Sequence, residues 1–307
     1  MTTTFRELEA FVAVADMGSF DKAAQRLQTS QSAVSRLIKE FEGEFERPLF
    51  NRDQRSARLT MEGQEVLALA RAILRHRAGM AERFASAELV TPTLRLGVTE
   101  LVAVSWLPGL VARVRERYPR MHLELDVASS PLLHSRLREG RLDIAIVISV
   151  IRSTDMARLP IGSAQMGWYC APGLHLPETL SPAEFERQTL LIQGSGTSAG
   201  SYLTAWFDKH DLRPDNVIHS DSLIALLGFA AAGLGLASLP RAVAHDSVRQ
   251  GALREIKLTV GAPEFDYIAL IRIDGISAFH RAVVQLMREC SDFNTPFQSS
   301  RTSTNES

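Results

Sequence analysis

Along the first sixty residues the apolar positions recur with a helical period. Leu8, Phe11, Val12 and Ala15 stand at the i, i+3, i+4, i+7 spacing of one face, which predicts a first amphipathic helix ending near Met17-Gly18. Ser19 is placed to cap a second helix, Asp21 to Leu27, whose inward Ala23 and Ala24 are small enough to let another helix approach closely. That helix stops at Gln28-Thr29, and Ser30 caps a third. In the third helix Val34, Leu37, Ile38 and Phe41 form the apolar face, with Ser32, Ser35, Arg36 and Lys39 as a polar stripe opposite. A short helix, a turn and a longer helix with a Gln/Ser/Arg outer face are what a helix-turn-helix requires. Its recognition helix enters the major groove N-terminus first, where Gln pairs with adenine, Arg with guanine, and Ser with bases or phosphates. Gln31, Ser32, Ser35 and Arg36 are the candidate readers, and Ser30 and Lys39 join them as candidate DNA-binding residues. Taken alone, the stripe also fits a helix whose polar face is merely solvated. The next segment tips the balance: between the apolar anchors Phe50 and Leu59, Arg52, Arg55 and Arg58 recur every three residues, as a wing lying along phosphates requires.

Thr60 then caps a helix predicted from Met61 to about Ala87, with no interior proline and with Val66, Ala70, Ile73, Met80, Phe84 and Ala87 in alternating steps of four and three. Arg77 breaks that seam. Such a helix spans about 40 Å at 1.5 Å per residue, and so narrow an apolar stripe suits pairing with a second chain through Val66, Ile73, Met80 and Phe84. Packing on its own domain is the alternative. A paired helix makes sense of the reader, because two recognition helices held about one DNA turn apart read a roughly palindromic site.

Beyond Thr91-Pro92 the pattern changes to strands alternating with helices. Strands at Leu94–Val98, Leu123–Val127 and Ile144–Val147 enclose helices at Leu107–Arg117 and Pro131–Glu139. A second set has strands at Gly167–Cys170, Leu190–Ile192, Val217–His219 and Leu236–Leu239, with helices at Ser201–Lys209 and Leu223–Ala232. A strand at Asp266–Ile271 and a helix at Ala278–Cys290 come last. Repeated strand-helix-strand units imply parallel sheets with right-handed crossovers. Ligands of such sheets bind beyond the carboxyl ends of the strands, near helix N-termini. That rule selects Thr99, Glu100, Ser129, Ser130, Gln193, Ser195, Thr197, Asp221 and Ser222. Each could equally be a cap or turn residue. Hydroxyls and helix N–H groups favour a carboxylate, whereas Glu100 facing the cleft would favour an ammonium or hydroxyl group; an amphoteric metabolite satisfies both.

Composition narrows the class without naming it. At 307 residues the chain is too long for one core, and 45% apolar with 22% charged residues is ordinary for a globular protein. Net charge is −1, and nine Lys/Arg balance nine Asp/Glu in the first sixty residues, so a nucleic-acid reading rests on where the charges sit. Cys170 and Cys290 are far apart in apolar surroundings, which argues against a disulfide framework or thiolate metal site and suits a reducing cytosol. No secretory signal is visible, so a cytoplasmic protein is expected. The uncharged stretch Ser222–Pro240 carries Gly228, Gly233 and Gly235, and reads as a buried helix, a tight turn and a short strand, with no membrane partner.

The N-terminal motif Ser19-Phe20, Ala23-Ala24, Leu27, Ser30-Gln31-Ser32-Ala33-Val34-Ser35, Glu42, Pro48-Leu49-Phe50, Arg52, Leu59-Thr60 and Gly63 resembles the signature of LysR-type transcriptional regulators, in order and at the family's spacing. Two departures stand out. Phe41 replaces the usual Leu, and Glu46 stands where a helix-ending Gly is usual, a position at which a left-handed Glu would cost roughly 1 kcal/mol. Leu107-Pro108, Tyr118-Pro119, Gly140–Ala145 and Ala231–Pro240 resemble the effector-binding domain of the same family. The resemblance implies an α/β chain with an N-terminal winged helix-turn-helix, a long linker helix and a two-lobed α/β effector domain of the periplasmic-binding-protein type. It implies a double-stranded DNA operator, a small-molecule effector between the lobes, and self-association into a homodimer or homotetramer through paired linker helices. It also implies that the chain crosses between lobes near Ala164–Gly167 and returns near Glu264–Asp266, and that Ser130 holds the family's usual effector-contacting serine position. The expected division is 1–60 for the DNA-binding domain, 61–90 for the linker and 91–291 for the effector domain. Lobe I takes 91–165 and 266–291, lobe II takes 166–265, and 292–307 form a disordered tail.

Catalysis finds no support in the sequence. The histidines show no metal spacing, Gly194-Ser195-Gly196 is too short for a nucleophile elbow, and Gly233-Leu234-Gly235 ends a helix where a dinucleotide fingerprint would open one. No cofactor is expected. A solute sensor that never touches DNA would account for Thr93 to Cys290 and leave the N-terminal motif unused. An enzyme fused to a DNA-binding domain would need a catalytic constellation the chain does not display.

Overall fold

A computed structural model describes residues 3–45, 47–51, 57–84 and 93–293, with the side chains of 75 and 78–84 outside the description. It comprises two compact units. The first contains α1 (Phe5–Met17), α2 (Phe20–Arg26), α3 (Gln31–Gly43) and α4 (Met61–Phe84). A capping box between Thr4 and Glu7 starts α1, and Gly18, at φ 61°, ends it in the left-handed conformation that glycine adopts without a Cβ penalty. Ser30 Oγ accepts the Ala33 N–H at 3.2 Å and starts α3, as the sequence predicts. Between α2 and α3 the chain turns through Gln28, at φ 52°.

Behind these helices Leu8, Phe11, Val14, Ala23, Ala24, Val34, Ile38 and Phe41 form a closed core. The departure at Phe41 is absorbed there: its ring lies 5.1 Å from Phe11 and 5.1 Å from Phe45. Phe50 and Leu59 pair as an antiparallel bridge, and the Glu42 carboxylate accepts the N–H groups of Leu49 (2.7 Å) and Phe50 (3.1 Å). Thr60 Oγ1 accepts the Gly63 N–H at 3.0 Å and caps α4. A Cβ on Gly63 would lie 2.2 Å from the Leu49 carbonyl oxygen, so this close approach of α4 needs glycine. Glu46, Arg52, Arg55 and 85–87 lie outside the described residues.

The expected seam of α4 divides. Val66 packs with Leu67, Ala70 and Leu74 against the unit's own core, while Ile73, 46% exposed, pairs one turn on with Leu69, 66% exposed, which the sequence reading passed over. The cause is that steps of three and four fit two adjacent faces of a helix, and packing on α1 takes one of them. Arg77 turns toward α1, where it meets Glu9 at 2.6 Å and lies 4.5 Å from the Phe5 ring centre. The side chains of Met80 and Phe84 lie outside the description.

The second unit opens with β1 (Thr93–Val98), α5 (Glu100–Val104), α6 (Leu107–Arg117), β2 (His122–Val127), α7 (Ser130–Arg138) and β3 (Ile144–Ile148). The three strands are parallel, with β1 central: Leu94 sits opposite Leu123, and Leu96 opposite Ile144. Then follow β4 (Met156–Cys170), β5 (Thr179–Leu180), α8 (Pro182–Glu186), β6 (Thr189–Ile192), α9 (Ser198–Lys209), β7 (Asn216–His219) and α10 (Leu223–Ala231). The last elements are β8 (Leu236–Pro240), α11 (Arg241–Arg249), β9 (Arg254–Leu258), β10 (Glu264–Arg272) and α12 (Ala278–Cys290). In the second sheet β6 lies parallel between β7 and β8.

One strand serves both sheets. Up to Gln165, β4 pairs antiparallel with β10, which borders β3; from Met166 it pairs with β8 and β9. The strand expected at Gly167–Cys170 is therefore the last third of a 15-residue strand. Its first part was missed because Arg158, Pro160, Ser163 and Gln165 dilute the apolar run. Leu96, Ile146, Ile161, Phe265 and Ile271 belong to the core of lobe I, and Trp168, Phe185, Leu190, Trp206 and Phe207 to that of lobe II. Ser222–Pro240 forms α10, a turn through Gly233 (φ 78°) and β8. Among the described residues no helix is long and apolar enough to cross a membrane. Phe293, which the expected disordered tail from 292 included, is 3% exposed and stacks on Tyr267 at 4.6 Å, because its ring fills the lobe I core; 294–307 lie outside the described residues.

Candidate functional site

The outer face of α3 carries Ser30, Gln31, Ser32, Arg36 and Lys39 exposed and Ser35 half-buried, on a helix whose other face is fixed by Val34, Ile38 and Phe41. Its polar groups are bonded mainly to one another. Gln31 Nε2 donates to Ser35 Oγ at 3.1 Å, the Ser30 and Ser32 hydroxyls are 3.0 Å apart, and Arg36 Nε lies 3.6 Å from Glu40. An exposed i,i+4 ion pair is worth about 0.3–0.5 kcal/mol. Such contacts exchange readily for base edges or phosphates, and with no acidic residue in its first turn the N-terminus of α3 faces an anion unopposed. Arg58 is exposed on the returning arm of the wing, where its carbonyl accepts the Asn51 N–H at 2.7 Å. Arg52 and Arg55 lie outside the described residues.

The lobes of the second unit enclose a cleft of about 450 Å³. Eight of the nine residues selected from the sequence line it: Thr99, Glu100, Ser129, Ser130, Gln193, Thr197, Asp221 and Ser222. Ser195 is exposed and stands outside the lining. Leu101, Val127, Ala128, Ile148, Ser198, Ala199, Leu223 and Tyr267 complete the wall. Most of these adjoin selected strand ends and were within reach of the rule. Tyr267 was not, because it enters from β10 through the register of the return crossing.

The hydroxyls differ in what they have left to offer. Thr197 Oγ1 donates to the Gly194 carbonyl at 2.8 Å and accepts the Gly200 N–H at 3.0 Å, so it is committed to capping α9. A Cβ on Gly200 would fall 2.1 Å from the Gly194 carbonyl oxygen, which holds this lip to glycine. Ser130, buried at the start of α7, accepts the Ile148 N–H at 3.3 Å and keeps its own proton to donate. Ser222 Oγ accepts the Ala225 N–H at 3.3 Å and caps α10. Thr99 Oγ1 is buried without a hydrogen bond of ordinary length and angle. Burial pushes the Tyr267 phenol up to about 12, a rise that the adjacent Thr99 hydroxyl slightly offsets. Gln193 Nε2 donates to the Asp221 carbonyl at 3.0 Å, and Asp221 Oδ1 accepts the Gly194 N–H at 3.2 Å. Glu100 reaches across the cleft to Ser222 and Leu223. Such a site can bind and orient a small polar molecule between two lobes.

Two family models match the chain: that described as bacterial regulatory helix-turn-helix protein, lysR family, over residues 5–64, and that described as LysR substrate binding domain, over 87–291. The HTH-type transcriptional regulator CzcR of Bacillus anthracis is 28% identical over 246 residues, covering 80% of this chain and 83% of that one. Among solved structures, a full-length OxyR variant from Pseudomonas aeruginosa has a TM-score of 0.76 at 22% identity, over 95% of this chain and 96% of that one. Full-length LysG from Corynebacterium glutamicum with bound effector Arg has a TM-score of 0.62 at 19% identity, over 93% of this chain and 98% of that one.

Proposed function

The chain belongs to the LysR family of transcriptional regulators, DNA-binding proteins with an effector-binding domain and not enzymes, and from that premise we propose how its residues divide the work. Gln31, Ser32, Ser35 and Arg36 on α3 read base edges in the major groove, with Ser30 and Lys39 on flanking phosphates. Arg52, Arg55 and Arg58 neutralise wing phosphates. The observation that carries this reading is the separation of faces on α3, an exposed Gln/Ser/Arg face backed by a helix fixed in a closed core. The effector, a small carboxylate or amphoteric metabolite, occupies the cleft against Thr99, Ser129, Ser130 and Tyr267, and its binding favours one conformation of the lobes over another, since a ligand with equal affinity for both would regulate nothing. The protein acts in the cytoplasm as a homodimer or homotetramer.

Exposure of Leu69 and Ile73 on α4 supports pairing of that helix with a second copy. Sedimentation of full-length Leu69→Asp/Ile73→Asp protein should give a smaller oligomer with weakened operator binding, and an unchanged oligomer would reassign the pairing surface. The DNA assignment is tested by duplexes that the wild type enriches from a random pool. A protein with Gln31, Ser35 and Arg36 all changed to Ala should bind enriched and random duplexes alike.

A further inference from the structure

Glu100 opens α5 at the carboxyl end of β1, and Leu223 is the first residue of α10 in the opposite lobe. The Glu100 carboxylate accepts the Leu223 N–H through Oε2 at 2.8 Å and the Ser222 hydroxyl through Oε1 at 3.2 Å. A helix N-terminus presents unpaired N–H groups and roughly half a positive charge, which makes it a seat for an anion. Here the protein's own side chain fills that seat from across the cleft. Asp221, just before the cap, adds a second carboxylate, and among the described lining residues there is no Lys, Arg or His to balance the two. The wall also holds a polar group without a hydrogen bond of ordinary geometry: the Thr99 hydroxyl, buried next to the Tyr267 phenol, on a residue that lines the same cleft beside Glu100.

We propose that Glu100 sets the charge selectivity of the cleft. It stands in for an anionic ligand group at α10, keeps free carboxylates off that helix end, and turns the side shared with Asp221 toward a nitrogen cation. The effector is then a small zwitterion and not a simple acid. This rests on the reading of the cleft as the effector site. Two carboxylates already accept backbone N–H groups there, and each retains lone pairs that an ammonium satisfies and a third carboxylate repels. The ligand's own carboxylate is left to the Ser129-Ser130 start of α7, and the Thr99 hydroxyl serves either group.

The test uses full-length wild type, Glu100→Ala and Glu100→Gln in heat unfolding, with acetate against chloride at equal ionic strength. Glu100→Ala should unfold roughly 2–4 °C lower in chloride and recover in acetate, which fills the vacated seat, while the wild type gains less from acetate because that seat is already taken. Glu100→Gln, whose amide oxygen still accepts from Leu223, should fall between them. Three matched pairs then probe selectivity: acetate with glycine, propionate with β-alanine, and butyrate with 4-aminobutyrate. The amino acid of a pair should stabilise the wild type more than its acid, and Glu100→Ala should reverse the preference. An equal acetate response in wild type and Glu100→Ala, or no advantage of the amino acid in any pair, overturns the assignment. The effector reading fails on a different result, namely Thr99→Ala and Ser130→Ala proteins that answer the three pairs as the wild type does.

Discussion

On the outer face of α3, Gln31, Ser32 and Arg36 are exposed and held by single solvent-facing contacts, whereas in the cleft the hydroxyls of Thr197, Ser130 and Ser222 are already engaged by backbone groups. In the roles proposed for them, the same residue types serve two strategies. A DNA reader must exchange its partners for base edges, so its side chains are anchored from behind by the core and left loosely tied in front. A small-molecule cleft must hold its shape before the ligand arrives, so its side chains spend most of their hydrogen bonds on the walls and leave few groups, Thr99 above all, to the ligand.

The comparison breaks most visibly at the support behind the reader. Phe41→Ala should destabilise the N-terminal unit by about 3–5 kcal/mol, the usual range for removing a buried aromatic ring, and abolish DNA binding. In calorimetry the transition of the effector unit should remain in place. Arg36→Ala touches only the front of α3, so its melting should match the wild type while discrimination between enriched and random duplexes falls by about 1–3 kcal/mol. In the cleft, Ser130→Ala should weaken effector binding by about 1–2 kcal/mol, the scale of one hydrogen bond in a closed site, with unliganded DNA affinity preserved. Thr197→Ala sharpens the contrast: loss of the α9 cap should lower stability by about 1 kcal/mol, with effector affinity changed less than in Ser130→Ala. Equal losses of affinity in both variants would erase the distinction between a wall residue and a contact residue. The smallest effect is expected of Arg58→Ala, which should weaken enriched and random duplexes alike and reduce the slope of log K against log salt by about 0.9.

What could be read from the sequence follows the range of the interactions. Ser30, the α3 faces and the Gly18 stop were legible because caps and helical periodicity act within four residues. The cleft was half legible, since strand ends can be counted along the chain while the register that brings Tyr267 to Thr99 cannot. Glu100 shows the limit: its position beside the cleft followed from the end of β1, but its bond to Leu223 joins residues 123 apart and depends on how the lobes close. The α4 seam shows the opposite case, a clear local pattern that two faces satisfy: packing on α1 takes Val66 and Ala70, while Ile73 stays exposed.

The claim that α3 reads sequence while the wing and flanking charges hold the backbone is tested most directly by fluorescence anisotropy. Wild-type and Gln31→Ala/Ser35→Ala/Arg36→Ala proteins would be titrated with an enriched and a random duplex at several salt concentrations. The variant should bind both duplexes with the same affinity, near that of the wild type for random DNA, with a salt slope reduced by no more than about one phosphate's worth. A variant that kept the wild-type preference for the enriched duplex would contradict it.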